Sequence, residues 1–113
     1  MTVTIPDLDQ DAFKQIIENA TLPVLIDVWA SWCTSCAAIA PVLESLASER
    51  AGALHVAKLD AGANPALAAD LGARSLPTLL LYKDGAMIAS RTGAAPRSVI
   101  ARFVDDALAA PRP

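Results

Sequence analysis

The chain reads as an α/β fold built on a mixed sheet, mostly parallel in its middle, with helices on both faces. Three observations predict this. Strand-like and helix-like stretches alternate as βαβα through the first half of the chain. The run Val24-Leu25-Ile26-Asp27-Val28-Trp29 is apolar on both alternating faces, as in a central strand covered from both sides. Lys83-Asp84-Gly85-Ala86 carries the Asp-Gly pair that marks a tight antiparallel hairpin.

Taken in order, Val3 to Ile5 is β-prone, and Pro6 with Asp7 ends that strand before Phe13, Ile16, Ile17 and Ala20 recur at helical spacing. After the Val24 to Trp29 strand, Ile39, Val42, Leu43, Leu46 and Ala47 predict a helix from about Cys33 to Arg50, kinked at Pro41, with Gly52 beyond its end. Leu54 to Asp60 reads as a third strand. Asn64 as N-cap and Pro65 in the first turn open a short helix through Leu71, closed by Gly72. Thr78 to Tyr82 and Met87 to Thr92 flank the hairpin turn. A last helix starts near Pro96 and aligns Val99, Ile100, Phe103, Val104, Ala107 and Leu108, with Ala109 to Pro113 as a frayed tail.

With 113 residues, 54% of them hydrophobic, the chain suits a single domain over 1–113 with one core. Nine Lys and Arg against twelve Asp and Glu give a net charge of -3, and no basic cluster exists to contact nucleic acid or anionic lipid. The longest uncharged span, Val28 to Leu43, contains serines, a threonine, two cysteines and a proline and is too short and polar to cross a bilayer. The start has neither a basic n-region nor an apolar h-region, so a cytoplasmic location is expected.

Cys33 and Cys36 follow a predicted strand at the mouth of a helix, three residues apart on one helical face. The unpaired N–H groups and positive dipole there stabilise a thiolate at Cys33, while Cys36, a turn further in, stays a thiol. As a structural staple the pair would close a loop worth only about 2 kcal/mol of unfolded-state entropy. Zinc wants four ligands, and only the distant His55 could be added. Haem attachment needs a histidine where Ala37 stands. Redox chemistry is the reading these leave.

The segments Asp27-Val28-Trp29-Ala30-Ser31-Trp32-Cys33-Thr34-Ser35-Cys36, Ala40-Pro41 and Leu76-Pro77-Thr78 together resemble thioredoxin, in register from Pro23 through Gly93. The resemblance implies a thioredoxin-like fold with a central mixed five-stranded sheet flanked by four helices. It implies a protein-disulfide reductase working by dithiol–disulfide exchange, on protein disulfide substrates, with electrons from a thioredoxin-reductase-type donor. No bound cofactor and no metal are required, and a monomer is expected. It implies that Asp27, a carboxyl whose burial should raise its proton affinity, helps deprotonate Cys36 through water, with Lys58 on the neighbouring strand offsetting its burial. It implies a cis Leu76-Pro77 bond, with the backbone before it pairing an extended substrate. Trp32, Leu76, Pro77, Gly93 and Ala94 would form an apolar docking rim around the cysteines and the Thr34-Ser35 dipeptide, whereas Trp29 reads as core.

The chain departs from the family at Thr34-Ser35, where Gly-Pro is usual, and at Ala37, often lysine. Proteins sharing the motif span roughly 90 mV, about 4 kcal/mol for two electrons. Ser35 adds a backbone N–H and a hydroxyl near Cys33, which should make the pair more oxidising than the Gly-Pro form. A disulfide oxidase or isomerase, or a binding or assembly module whose cysteines are incidental, are the alternatives.

Overall fold

In the computed structural model, which describes residues 4–111, five strands and four helices run β1 (Asp7–Leu8), α1 (Gln10–Asn19), β2 (Val24–Trp29), α2 (Thr34–Glu49), β3 (His55–Asp60), α3 (Pro65–Asp70), β4 (Thr78–Lys83), β5 (Ala86–Thr92) and α4 (Arg97–Ala109). They build one sheet of order β1-β3-β2-β4-β5. The strands β1, β3 and β2 are parallel, and β4 and β5 run antiparallel to their neighbours. The mixed α/β sheet expected from the sequence is the one observed.

Alternation along the central strands sends side chains to two apolar layers. Leu25, Leu79 and Leu81 meet Ile39, Leu43 and Leu46 of α2 and Ile100 and Val104 of α4. Val24, Ile26, Val28, Leu80 and Tyr82 meet Phe13 of α1 and Ala68 of α3 on the other side. Each buried Leu or Ile contributes about 1.5–3 kcal/mol relative to exposure, so both layers hold β2 rigidly from above and below. That rigidity matters because β2 leads directly into the cysteine pair.

Several boundaries differ from the sequence reading. The first strand is not Val3 to Ile5: Val3 lies outside the described residues, Thr4 and Ile5 form no strand, and the strand follows Pro6. Pro6 has no N–H to offer, but its carbonyl accepts from the Lys58 amide at 2.8 Å and starts the pairing with β3. Asn64 stands at the N-cap of α3, yet its side chain donates to the Asp60 carbonyl (3.1 Å) instead of capping. Val99 is exposed; of the expected α4 face, Ile100 and Val104 are fully buried, and Phe103, Ala107 and Leu108 pack half-buried against the same core. Ala109 still belongs to α4, so the helix runs one residue into the expected tail.

Among the described residues no helix is long and apolar enough to cross a membrane.

Candidate active site

The chain leaves β2 at Trp29, turns through Ala30-Ser31-Trp32, and enters α2 with Cys33 as its N-cap. The Cys33 amide donates to the Ala30 carbonyl at 3.1 Å, which fixes the turn. Cys33 has extended backbone angles, and its Sγ accepts from the Cys36 amide at 3.2 Å, the place a serine or aspartate oxygen takes in an ordinary N-cap. The two sulfurs are joined in a disulfide with a Cα–Cα distance of 5.3 Å. Their environments differ. Cys33 is half-buried, and Cys36 is 4% exposed. Ser35 Oγ lies 3.5 Å from Cys33 Sγ, in keeping with the proposed hydroxyl contact, but the amide on that sulfur is that of Cys36 and not of Ser35.

Asp27 is buried in the middle of β2, and its Oδ1 has no hydrogen-bond partner among the described residues. In register it faces Lys58 of β3, which in turn faces Asp7 of β1. Loss of hydration on burial pushes the Asp27 carboxyl from 3.8 up to about 7; the Lys58 ammonium opposes that rise and the Asp7 carboxylate adds to it. Lys58 Nζ sits 5.4 Å from the centre of the Trp29 ring. The indole Nε1 donates to Asp7 Oδ1 at 3.2 Å. Trp29 is therefore not a core residue as expected; it is half-buried, held by two charged neighbours. A cavity of about 190 Å³ is lined by Asp27, Lys58 and both cysteines, with Ala37 and Ala40 among the rest, and is large enough to hold water. A second, of about 300 Å³, runs from Asp27 and Lys58 to Glu44 and Ser48.

On the outer side of Cys33, Trp32 is 71% exposed. Its ring lies over Gly62, so closely that a Cβ there would stand 2.8 Å from it. The Gly62 amide donates to Asp60 Oδ1 at 2.8 Å, which holds that loop under the ring. Trp32, Cys33, Thr34, Ser35 and Leu76 line one open hollow of about 760 Å³ together with Ala61, Ala73 and Arg74. Leu76-Pro77 is cis. Pro77 is buried, and its carbonyl accepts from the Gly93 amide at 2.8 Å. Gly93, at φ +97°, takes a conformation that favours glycine. Gly93 and Ala94 do not line the hollow, so the rim they were expected to share divides into a Trp32–Leu76 part and a neighbouring Pro77–Gly93 part. Gly62, Ala73 and Arg74 escaped the sequence reading. They sit on loops far apart in sequence that carry no periodic signal.

A disulfide across four residues braces little, and here it joins a half-buried cysteine to an enclosed one, both bordering a cavity that the buried Asp27 also lines. Fold and site together define a thiol–disulfide oxidoreductase. A family model described as Thioredoxin matches residues 4–106. Thioredoxin C-2 of Corynebacterium nephridii is 43% identical over 105 residues, covering 93% of this chain and 97% of that protein. The thioredoxin of Haemophilus influenzae is 43% identical over 93 residues, 82% of this chain and 87% of its own. That of Mycolicibacterium smegmatis is 42% identical over 109 residues, 95% of each. The chain belongs to the thioredoxin family, and its activity is the reduction of protein disulfides by dithiol–disulfide exchange through Cys33 and Cys36.

Proposed function

We propose the following assignment of roles. Cys33 is the attacking residue: its thiolate bonds to one sulfur of a substrate disulfide, and the other substrate sulfur leaves as a thiolate and takes a proton from water. Cys36 then passes its proton to Asp27 through the cavity they share, and its thiolate attacks Cys33 Sγ. The mixed disulfide breaks, the second substrate sulfur departs reduced, and two electrons have moved from the protein to the substrate. A reductase of the thioredoxin-reductase type restores the dithiol. Lys58 balances the charge that Asp27 carries before it takes that proton. Trp32, Thr34, Ser35, Leu76, Pro77, Gly93 and Ala94 hold the substrate, with the Leu76 backbone pairing an extended segment.

The observation that carries this reading is the asymmetry of the two sulfurs. Cys33 is half-buried and its sulfur accepts an amide hydrogen bond, whereas Cys36 is 4% exposed, and both border the cavity that Asp27 lines. We further read the chain as a single domain over 1–113 acting as a cytoplasmic monomer in electron transfer to protein disulfides. Reduction of insulin by dithiothreitol tests the assignment. The wild type should accelerate it, and Cys33→Ser should fall to the uncatalysed rate; a Cys33→Ser variant that retained acceleration would overturn it.

A further inference from the structure

We propose that Asp7 is a positioning residue for the resolving step, anchoring the Trp29 indole and keeping the Lys58 ammonium from holding Asp27 in its ionised form. The inference rests on the role given to Asp27 above. Parallel pairing on both sides of β3 puts Asp7, Lys58 and Asp27 in one row across three strands, so a single cation stands between two carboxylates on one face of the sheet. Two strand spacings set their backbones about 10 Å apart. Asp7 is exposed and Asp27 buried.

Lys58 closes no ion pair among the described residues and instead lies over the Trp29 ring. The same indole gives its N–H to Asp7. A carboxylate on the ring N–H enriches the ring face in electrons and strengthens its hold on a cation above it. Asp7 therefore acts on Asp27 in two ways with the same sign. Its charge disfavours a second carboxylate nearby, and its grip on Trp29 retains the ammonium that would otherwise favour one. The other groups around Asp27 do not reproduce this. From α2 come Cys36 and, along the second cavity, Glu44; from β4 comes uncharged Leu79; and Arg91 of β5 lies beyond Leu79 in the same row.

The test compares wild type, Asp7→Asn, Asp7→Ala and Asp27→Asn in the reduced full chain. The Asp27 carboxyl is followed by carbon NMR across pH, alongside the pH profile of release from a preformed mixed disulfide on Cys33. Asp7→Asn keeps an oxygen for the indole and removes the charge. The Asp27 midpoint and the matching limb of the profile should both move to lower pH by about half a pH unit at low salt, and by less in 0.5 M salt, since the interaction is Coulombic across a partly wet path. Asp7→Ala, which also frees the indole, should move them at least as far and serves if the asparagine variant misfolds. If Asp27→Asn removes the limb but neither Asp7 variant moves it, Asp7 is not a positioning residue. If Asp27→Asn leaves the limb in place, the role of Asp27 fails and this inference with it.

Discussion

Replacing Asp27 by asparagine should stabilise the oxidised protein at high pH and not at low pH. The carboxyl ordinarily releases its proton at 3.8 and in the fold does so at about 7. The folded chain thus binds more protons than the unfolded chain between those values, and stability must fall as pH rises through that window. The benefit of a protonated Asp27 is fully present below pH 3.8 and gone above about 7. The rise from 3.8 to about 7, at roughly 1.4 kcal/mol per pH unit, is on the order of 4 kcal/mol, a large share of the 5–15 kcal/mol that holds such a domain together. Asparagine has nearly the same shape and no charge to bury, so its stability lacks this dependence. Urea unfolding of both proteins at pH 4, 6 and 8 measures the difference. The advantage of Asp27→Asn over wild type should grow across that series by about 3–4 kcal/mol. Two stability curves that stay parallel from pH 4 to 8 would refute the reasoning, because they would mean that Asp27 keeps its ordinary proton affinity in the fold.

Other perturbations probe the rest of the site. Ser35→Pro removes a hydroxyl 3.5 Å from Cys33 Sγ and should make the pair less oxidising, read from redox equilibrium with glutathione; an equally or more oxidising variant would contradict the role of the hydroxyl. Gly62→Ala sets a methyl 2.8 Å from the Trp32 ring and should displace it. The KM for insulin should then rise several-fold with kcat within about twofold, the pattern of lost binding that does not touch the chemistry; an unchanged KM would show that the seat of Trp32 is irrelevant to docking.

Much of this could be read from the sequence where local chemistry decides structure. The Asp84-Gly85 hairpin is one such place, since a two-residue turn between twisted strands wants positive φ at both positions, and these residues adopt +53° and +82°. Cys33 at the mouth of α2 is another, because strand, turn and helix signals converge on it. Misreadings arose where partners distant in sequence decide. The composition of Val3 to Ile5 favours a strand, yet the free edge of β3 selects Asp7 and Leu8 through the Lys58 amide. Val99 fits the apolar period of α4, but the stripe that meets the core is narrower, centred on Ile100 and Val104 with Phe103, Ala107 and Leu108 beside them, and leaves Val99 in solvent. Trp29 sits on a strand read as doubly covered, and only the pairing of β1, β3 and β2 shows that Asp7 and Lys58 reach it. Gly62 and Arg74 became site residues through loop packing around Trp32 and Cys33, which no window of sequence contains.

The most direct measurement is the alkylation of the freshly reduced protein by a limiting amount of iodoacetamide near neutral pH, with the modified cysteine located by peptide mass. Modification of Cys33 with Cys36 left free is the predicted outcome, since Cys33 is the less buried of the two and its sulfur accepts a helix amide, while Cys36 is enclosed. Equal modification of both, or preference for Cys36, would contradict the division of labour between the two sulfurs.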